Sequence, residues 1–550
     1  MGKRILVILL CVTIIATAFA GCNNGGTSST ESSAAPASSE ASSEAPASSE
    51  EVVTEQGDGD ITETEAGSGY TFPLEEPVTM TMFAILNGEV DLNDNIGFKK
   101  YEEMTNVHWE IQSAMGVDIQ EKRNLLLASN QYPDVFFKSG MPVADLDKYG
   151  PQGMFVDLTD AIENHAPNFK KVLEDRPAIQ QVITSEDGGI YSLPEVSQQL
   201  PVDNIAYMNT KWLENVGMEM PTNLDELYNV LVAFKEQDAN GNGDPNDEIP
   251  YIFTGGDPNT NTFYFLLPYF GVNIDYGTKT TRKDGKLEYV MNSDVYKEYL
   301  AWNKKLYDEG LMYQNSFSTT NDQRQAIGMS GDTLGFMFEM GIFLSVGRER
   351  DSDWDGMNPF EQGVLPVSTG ATPGTLVVTD SCEDPNLVVA WADYNYSEEG
   401  GILSWLGVEG ETYILNADGT WEWNQGDFKD LTNLRQAAAI QGAANHPSIQ
   451  PQLWFTGTTD ANEKLLNQIR DRLVEQGAEP FPALKYTDAD NKTVAAIKND
   501  IDPYVLQYAA QVVTGQKDLD ASWEEYVTTL ENMGLSQMME IYNTAFEKVK

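Results

Sequence analysis

Short apolar segments alternate with amphipathic segments from residue 78 onwards, and this alternation is the strongest constraint on the fold. Three apolar runs have the length and composition of buried strands: VTMTMFAIL (78–86), VHWEIQSAM (107–115) and DVFFKSG (134–140). The segments between them, IGFKKYEEMT and DIQEKRNLLLASN, have the pattern of helices. Because strand–helix–strand units of this kind form parallel sheets, the sequence predicts an α/β protein rather than a sandwich or a helical bundle.

The N-terminus has the composition of an export signal. Lys3 and Arg4 precede an apolar run, residues 5–20, that is short for a membrane span. The run ends in FAGC (19–22), which resembles a bacterial lipobox, although Phe19 stands where a leucine-like residue is usual. We therefore expect a signal peptide at residues 1–21 and lipidation of Cys22. The alternative is ordinary signal cleavage after Ala20, which would leave an incidental thiol.

A tether follows the cysteine. Residues 22–75 are almost all Ser, Ala, Glu, Thr, Gly and Pro, a mixture with too little apolar surface to offset the entropy of ordering a chain. The remainder, about 475 residues, exceeds the size at which one core stops growing, so at least two lobes are expected. Cys382 is the one cysteine beyond the tether, and it cannot form an intramolecular disulfide.

The charge of the chain limits its partners. Its 85 acidic and 34 basic residues give a formal net charge of -51 at pH 7. This charge repels phosphate and anionic lipid over a Debye length of about 8 Å, whereas a neutral solute is not repelled. Nucleic acid is therefore not an expected partner. The other interpretation, that the charge only serves solubility, stays open.

Three separated segments carry a family resemblance. Residues 206–251 (AYMNTKWL to DEIPY), 396–413 (YSEEGGILSWLGVEGETY) and 512–549 (VVTGQKDL to TAFEKV) resemble family 1 of the extracellular solute-binding proteins, the lipoproteins of carbohydrate ABC importers. The likeness extends from about residue 76 to the C-terminus. It implies a type II periplasmic-binding-protein fold, in which two α/β lobes are joined by a hinge with several chain crossings and close on a sugar.

The same resemblance implies lobe limits and partners. Lobe 1 would comprise residues 76–200 and 372–430, and lobe 2 would comprise residues 201–371 and 431–550. The expected ligand is a carbohydrate, in particular an oligosaccharide, and the expected protein partners are the transmembrane subunits of an ABC permease. The chain would be a monomer, held by its lipid on the extracytoplasmic face of the cell membrane.

An enzyme is not expected. Among 85 acidic residues a carboxylate pair carries no information. The three histidines, His108, His165 and His446, do not accompany a nucleophilic serine or an H-E-x-x-H motif. A secreted glycosidase, a surface adhesin and a binding protein for a peptide or another polar solute remain alternatives.

The segment DANGNGDPNDEIPY contains a candidate calcium loop. Asp238, Asn240 and Asn242 place side-chain oxygens at ligand positions 1, 3 and 5 of such a loop, and Asp244 can offer its backbone carbonyl at position 7. Gly243 permits the turn at position 6, but position 12 is Ile249. The loop resembles that of alginate-binding relatives, and it leaves open whether Asp247 or Glu248 chelates the ion. Calcium would be structural, and a solvated Asn-Gly turn is the alternative.

Six side chains are candidates for contact with a sugar: Asn87, Ser139, Glu339, Phe343, Trp405 and Glu409. The first two follow the first and third predicted strands, where ligands bind in open α/β sheets. The next two lie in FMFEMGIF, which resembles the segment that carries a stacking aromatic in maltose-binding relatives. The last two lie in the glycine-containing loop of SWLGVEGETY. Trp421 and Trp423 are instead expected to pack in a β-hairpin.

Overall fold

The computed structural model describes residues 67–550, except for residues 89, 117, 199–203, 245, 257–260 and 442–444. The predicted signal peptide, Cys22 and nearly all of the tether lie outside the described residues, so their assignments remain predictions. The described residues belong to one unit of the chain, Asp58–Lys550. Among them, no helix combines the length and the apolar character needed to cross a membrane.

The strands of the described residues are numbered in chain order. They are β1 (Val78–Ile85), β2 (Val107–Ala114), β3 (Val135–Phe137), β4 (Leu193–Val196), β5 (Ile205–Asn209), β6 (Ile249–Tyr251), β7 (Ile274–Asp275), β8 (Thr280–Lys283), β9 (Lys286–Tyr289), β10 (Leu334–Glu339), β11 (Trp354–Gly356), β12 (Ala371–Val378), β13 (Tyr413–Leu415), β14 (Trp421–Trp423) and β15 (Ser448–Ile449).

The α-helices are numbered in the same way. They are α1 (Ile96–Thr105), α2 (Ile119–Ser129), α3 (Val143–Tyr149), α4 (Thr159–His165), α5 (Pro167–Asp175), α6 (Pro177–Ile183), α7 (Thr210–Val216), α8 (Leu224–Glu236), α9 (Asp294–Asp308), α10 (Asn321–Ser330), α11 (Phe343–Val346), α12 (Pro385–Asp393), α13 (Glu398–Leu406), α14 (Leu431–Ala438), α15 (Gln452–Gly457), α16 (Ala461–Val474), α17 (Asp488–Val513), α18 (Leu519–Asn532) and α19 (Leu535–Val549).

The first lobe is built on a six-stranded sheet with the order β15-β4-β12-β3-β1-β2. Strand β1 pairs in parallel with β2 and β3, which confirms the predicted β-α-β-α-β opening. Side chains alternate between the two faces of a strand, and both faces of β1 are covered. Met82 and Ala84 enter one buried apolar cluster, whereas Phe83 enters another. Because both faces of this strand are buried, its sequence is continuously apolar. This continuous apolar run is the pattern that predicted the strand.

The second lobe is built on a four-stranded sheet with the order β11-β5-β10-β6. Strand β10 pairs in parallel with β6 and antiparallel with β5. Its core is the largest apolar cluster of the described residues and includes side chains from α8, α9 and the three C-terminal helices α17, α18 and α19.

The chain crosses between the two sheets at three places. The crossings lie between β4 and β5, between β11 and β12, and after β15, since α16 packs on β11 through Ile469 and Gly356. Helix α14 contacts α1, and β15 pairs with β4 of the first sheet. The third crossing therefore follows Ile449, which is later in the chain than the limit at residue 430 that the resemblance suggested.

Helix α8 shows how a polar side chain sets a helix start. Asn223 is its N-cap, and its side-chain oxygen accepts a hydrogen bond of 2.9 Å from the backbone N–H of Glu226. The Glu226 carboxylate returns to Thr222, accepting from its backbone N–H at 2.8 Å and from its hydroxyl at 2.7 Å. Because Thr222 precedes the cap, the sequence pattern Thr222-x-x-Asp225 is not the capping pair.

Cys382 lies three residues before α12 and is buried as a free thiol. Burial raises its pKa to about 11. Since the thiolate is the reactive form of cysteine, this thiol is unreactive near neutral pH.

Candidate functional site

A cavity of about 490 Å³ is lined by both lobes and by the connection between β11 and β12. The first lobe contributes Val143, Val182 and Pro373, and the connection contributes residues 366–369. The second lobe contributes two irregular segments, residues 274–278 and 481–486. We call this space the interlobe cavity. Its position between the lobes and its size are those of a small-molecule site.

Three aromatic side chains line the interlobe cavity: Tyr276, Phe481 and Tyr486. Tyr276 packs edge-on against Phe265, with ring centroids 4.7 Å apart. The guanidinium of Arg282 lies over Phe481, 4.7 Å from the ring centroid, and so fixes that ring. Polar groups of Asp275, Thr278, Ser368, Thr369 and Lys485 complete the lining. Flat apolar rings with polar groups beside them match the C–H faces and hydroxyls of a sugar.

Polar contacts join the two lobes beside this cavity. The Lys485 ammonium donates a hydrogen bond of 2.8 Å to the Val182 carbonyl at the end of α6. Burial lowers the pKa of Lys485, and the negative charge of Asp147 opposes that shift. Lys548 at the end of α19 pairs with Glu186 at 3.2 Å. Exposed ion pairs of this kind contribute at most about 1 kcal/mol, so they permit the lobes to move relative to each other.

Asn87 and Ser139, the candidates at the ends of β1 and β3, are fully buried. The Asn87 amide donates to the Ala439 carbonyl at 3.1 Å, and its oxygen accepts from the Lys138 ammonium at 2.6 Å. The Ser139 carbonyl accepts from Arg123 at 2.6 Å. Both candidates therefore lie at the predicted strand ends, but neither lines the interlobe cavity.

A buried cluster of ionisable side chains lies beside Asn87, and no sequence motif indicated it. Burial lowers the pKa of Lys138 to about 7, against the opposing charge of Glu195, and burial raises the pKa of Glu195 to about 7. The backbone N–H of His446 donates to Glu195 at 3.4 Å, and burial lowers the pKa of the His446 ring well below its usual range. The cluster joins segments distant in sequence, which explains why no local motif indicated it.

Glu339 is the last residue of β10, and Phe343 is the first residue of α11. Glu339 forms a buried ion pair with Arg324 and accepts a hydrogen bond of 2.6 Å from the Ser345 hydroxyl. Phe343 is half-buried, with the Arg348 guanidinium 4.5 Å from its ring centroid. Neither side chain lines the interlobe cavity.

Trp405 and Glu409 lie at the end of α13. Trp405 is buried in a cluster of aromatic rings, with Trp454 at a centroid distance of 5.4 Å, whereas Glu409 is exposed in the following turn. Strands β13 and β14 form a hairpin in which the rings of Trp421 and Trp423 are 5.2 Å apart. The hairpin interpretation of this tryptophan pair is thus correct, and the roles of Trp405 and Glu409 in ligand binding remain predictions.

The aromatic residues that do line the cavity come from segments without periodic structure. Tyr276 lies between β7 and β8, and Phe481 and Tyr486 lie in the stretch that precedes α17. No helix or strand period marks such residues. The available signal is compositional, because PFPALKY (480–486) combines two prolines with two aromatic residues in a segment too irregular to form a core element.

The candidate calcium loop, of which the structure describes residues 238–244 and 246–248, is a series of turns between α8 and β6. The Asp238 carboxylate accepts from the Gly243 N–H at 2.9 Å, and the Glu248 carboxylate accepts from the Ala239 N–H at 3.0 Å. Both Asp247 oxygens accept from side-chain amides, those of Asn240 at 3.0 Å and Asn242 at 2.8 Å. Strand β6 follows the loop directly, so the second helix of an EF-hand is absent from these described residues.

Two carboxylate oxygens of this loop fit a cation. Asp238 Oδ1 and Glu248 Oε2 are buried and have no hydrogen-bond partner, and burial raises the pKa of Glu248. Within the described ranges no three His, Cys, Asp or Glu side chains converge as a metal-binding group. Calcium, however, also takes amide and backbone carbonyl oxygens, and this loop offers both. The donor set therefore fits a hard cation.

Two α/β lobes, three crossings and a cavity lined from both sides define a two-lobed solute-binding protein. A sequence profile described as bacterial extracellular solute-binding protein matches residues 98–401. Because this match covers more than half of the 550 residues, the chain belongs to that family. Its members are binding proteins of transporters, so the expectation that this chain is not an enzyme is confirmed.

Characterised relatives match along most of the chain. The fructooligosaccharide ABC transporter substrate-binding protein FusA of Streptococcus pneumoniae is 28% identical over 522 residues, which cover 87% of this chain and 92% of FusA. The polygalacturonan/rhamnogalacturonan-binding protein YtcQ of Bacillus subtilis is 23% identical over 507 residues, which cover 89% of this chain and 95% of YtcQ.

Solved structures match the fold. FusA in complex with kestose, and an EF-hand mutant of FusA with fructo-nystose, each give a TM-score of 0.71 at 24% identity, covering 86% of this chain and 99% of FusA. An HMO-binding solute-binding protein from Bifidobacterium longum infantis gives 0.75 at 20% identity, with coverages of 86% and 99%. Alginate-binding AlgQ2 without calcium gives 0.67 at 21%, with the same coverages. The expected type II periplasmic-binding-protein fold is confirmed.

Proposed function

We propose that this chain captures an oligosaccharide in the interlobe cavity and delivers it to the membrane subunits of an ABC permease. The observation that carries the proposal is the lining of the cavity, in which Tyr276, Phe481 and Tyr486 stand beside polar groups between two lobes. The sugar ligands of FusA and YtcQ support the same ligand class.

Transport requires that the permease distinguish the loaded protein from the empty one. A ligand that touches both lobes binds the closed form more tightly than the open form, so it shifts the population towards closure. Lys485 and Lys548 form polar contacts between the lobes, which opening would break and closure would restore. Closure then signals that ligand is bound.

Lipidation of Cys22 completes the proposal for location. The apolar run of residues 5–20 and the small residues before Cys22 support an acylated N-terminus, and a flexible tether would let a monomer move near the permease.

We further propose that residues 238–248 bind a structural calcium ion. Asp238 and Glu248 supply the buried carboxylate oxygens that lack partners, with Asn240, Asn242 and Asp244 as further oxygen donors. Glu248 is favoured over Asp247, because both Asp247 oxygens already accept hydrogen bonds. An EF-hand mutant of FusA and a form of AlgQ2 described as without calcium ion are among the similar structures, and both descriptions support this assignment. The ion would join the C-terminus of α8 to β6.

Calcium removal should lower the melting temperature. An ion that binds only the folded chain stabilises it by about 2.7 kcal/mol at a concentration of 100 Kd. Melting with calcium and with chelator should therefore differ in the wild type but not in Asp238→Asn or Glu248→Gln. The matched control is Asp418→Asn, whose carboxylate occupies an ordinary exposed turn and accepts from Thr420 at 3.0 Å. Equal melting of the wild type in both conditions would remove the calcium proposal.

Sugar binding is tested by calorimetry with a panel of oligosaccharides. We expect binding to the wild type and a loss of at least about tenfold, or 1.4 kcal/mol, in Tyr276→Ala, because the variant loses a ring that can cover a sugar face. The control is Tyr228→Ala, which removes a similarly half-buried ring from the outer surface of α8. The proposal fails if no carbohydrate of the panel binds, or if both variants bind as the wild type does.

A further inference from the structure

A second cavity, of about 730 Å³, lies in the second lobe and shares Tyr276 with the interlobe cavity. Helix α17 forms one side of it, through residues 498–510, and the residues around Tyr264 and Phe317 form the other. We call it the lobe 2 pocket. A smaller cavity contains Phe265 and Tyr276 from the lobe 2 pocket and Pro366 from the interlobe cavity. The two larger spaces are therefore neighbours along one surface, with the Tyr276 ring between them.

The walls of the lobe 2 pocket are aromatic. Phe265 and Tyr276 meet edge to face, at an interplanar angle of 82°. The pocket is therefore lined by two rings whose planes are nearly perpendicular. Phe317 is half-buried and packs against Phe253 at a centroid distance of 4.9 Å. These rings are held by their neighbours before any ligand arrives, which lowers the entropic cost of binding.

The charged groups that line the pocket are Lys279, Lys498 and Asp502. Lys279 pairs with Asp502 at 2.9 Å, where the two side chains are 14% and 34% exposed. The Lys498 ammonium donates to the Gly277 carbonyl at 2.5 Å, and its pKa is lowered by burial and raised by Asp502. Asp275, which lines the interlobe cavity, also lies within electrostatic reach of Lys498. Both lysines therefore already have partners, and neither is an unpaired cation that would attract an anion.

Helix α17 adds a backbone acceptor. Pro503 lies inside the helix and lines the pocket together with Asn499. Proline has no N–H, so the carbonyl of Asn499 cannot receive the usual helical hydrogen bond from residue 503. A carbonyl without that donor suits a ligand hydroxyl.

We propose that the lobe 2 pocket is a second subsite, which binds a further, uncharged glycosyl unit of the same oligosaccharide. This inference rests on the proposed function. It adds that the oligosaccharide extends from the interlobe cavity into the lobe 2 pocket, and that the unit bound there is uncharged. An uncharged sugar can use paired lysines and aspartates as donors and acceptors for its hydroxyls. A uronate would instead place a carboxylate beside Asp502 in a chain of net charge -51, where like charges repel.

The test measures affinity against chain length. Calorimetry is performed with neutral gluco- and fructo-oligosaccharides of increasing length and with oligogalacturonates of the same lengths. Gln507→Trp fills the pocket from an exposed position of α17, and Phe317→Ala removes a ring from its opposite wall. Asp500→Trp is the control, because residue 500 is exposed on the same helix and does not line the pocket. Thermal melting verifies that each variant is folded.

In the wild type and the control, we expect affinity for neutral chains to rise by about tenfold or more once the chain reaches the pocket. In Gln507→Trp and Phe317→Ala this gain should fall to about twofold or less, while the shortest bound sugar is held as before. If the gain with length survives in both variants, or if oligogalacturonates bind more tightly than neutral chains, the inference is overturned. Absence of any sugar binding to the wild type would instead overturn the proposed function.

Discussion

Replacing Arg324 by methionine is expected to destabilise the protein by about 3–5 kcal/mol, because it leaves a buried carboxylate without its partner. Arg324 is 2% exposed and pairs with Glu339, which is 6% exposed. The arginine also donates to the Phe338 carbonyl and to Asn321, each at 2.6 Å. It therefore holds the end of β10 to helix α10. Denaturant unfolding monitored by fluorescence would measure the loss.

A double variant separates two contributions to the free energy of unfolding: the destabilisation by an unpaired buried charge, and the stabilisation by the intact ion pair. Arg324→Met combined with Glu339→Leu removes both charges, and we expect it to be more stable than the single variant. Lys283→Met, which breaks the exposed ion pair with Glu288, should cost less than about 1 kcal/mol. A single Arg324 variant within about 0.5 kcal/mol of the wild type would contradict this account.

Replacing Asp393 by alanine is expected to cost about 2–4 kcal/mol, since buried donors at the start of α5 would lose their acceptor. Asp393 lies at the end of α12. It accepts from the Phe169 N–H at 2.8 Å, and from the backbone and side chain of Asn168 at 3.1 and 2.9 Å. Asp518→Ala is the matched control, because this exposed N-cap of α18 should cost only about 1 kcal/mol. If the two variants lost the same free energy of unfolding, the burial of the Asp393 hydrogen bonds would not be the cause of the larger loss.

The same carboxyl gives a pH dependence with a defined sign. Burial raises the pKa of Asp393 to about 6, above the value of about 3.9 in an unfolded chain. The folded state therefore holds this proton more tightly, and the stabilisation it provides is complete below about pH 4 and lost as the pH rises through 6. The stability of the wild type relative to Asp393→Asn should thus increase as the pH falls from 7 to 4. A constant difference would exclude the shift.

The sequence predicted those strands and helices whose formation depends on a local apolar pattern. Strands β1, β2 and β3 and helices α1 and α2 follow from the apolar period alone, because burial on both faces of a parallel sheet requires continuous apolar sequence. The N-cap of α8 is Asn223 and not Thr222, although both residue types are capable caps, and backbone geometry selects between them. The third crossing lies later than the limit that the resemblance implied, because β15 pairs with β4 of the first sheet. No local pattern could indicate this, since a two-residue strand is too short to have a period.

The candidate site depended on long-range contacts, and there the sequence was less informative. Glu339 was predicted to contact ligand because FMFEMGIF resembles a segment of maltose-binding relatives, but in the structure it pairs with Arg324, which lies on another element. Asn87 follows β1 as expected, yet the buried ammonium of Lys138 occupies its oxygen. Tyr276 lies in a segment without helical or strand periodicity. Its position beside both cavities results from the packing of irregular segments of the second lobe. The sequence shows which side chains can bind a sugar or an ion. Which residues those side chains contact depends on the topology of the fold.

The inert thiol of Cys382 makes the molecule convenient as a reporter. A version of the chain beginning at residue 67 carries no other cysteine, and this one is shielded and protonated at neutral pH. A single cysteine introduced at an exposed position of each lobe would accept fluorescent dyes without background labelling. Energy transfer between the dyes would then record, in real time, the opening and shutting of the molecule as sugar is added and washed away.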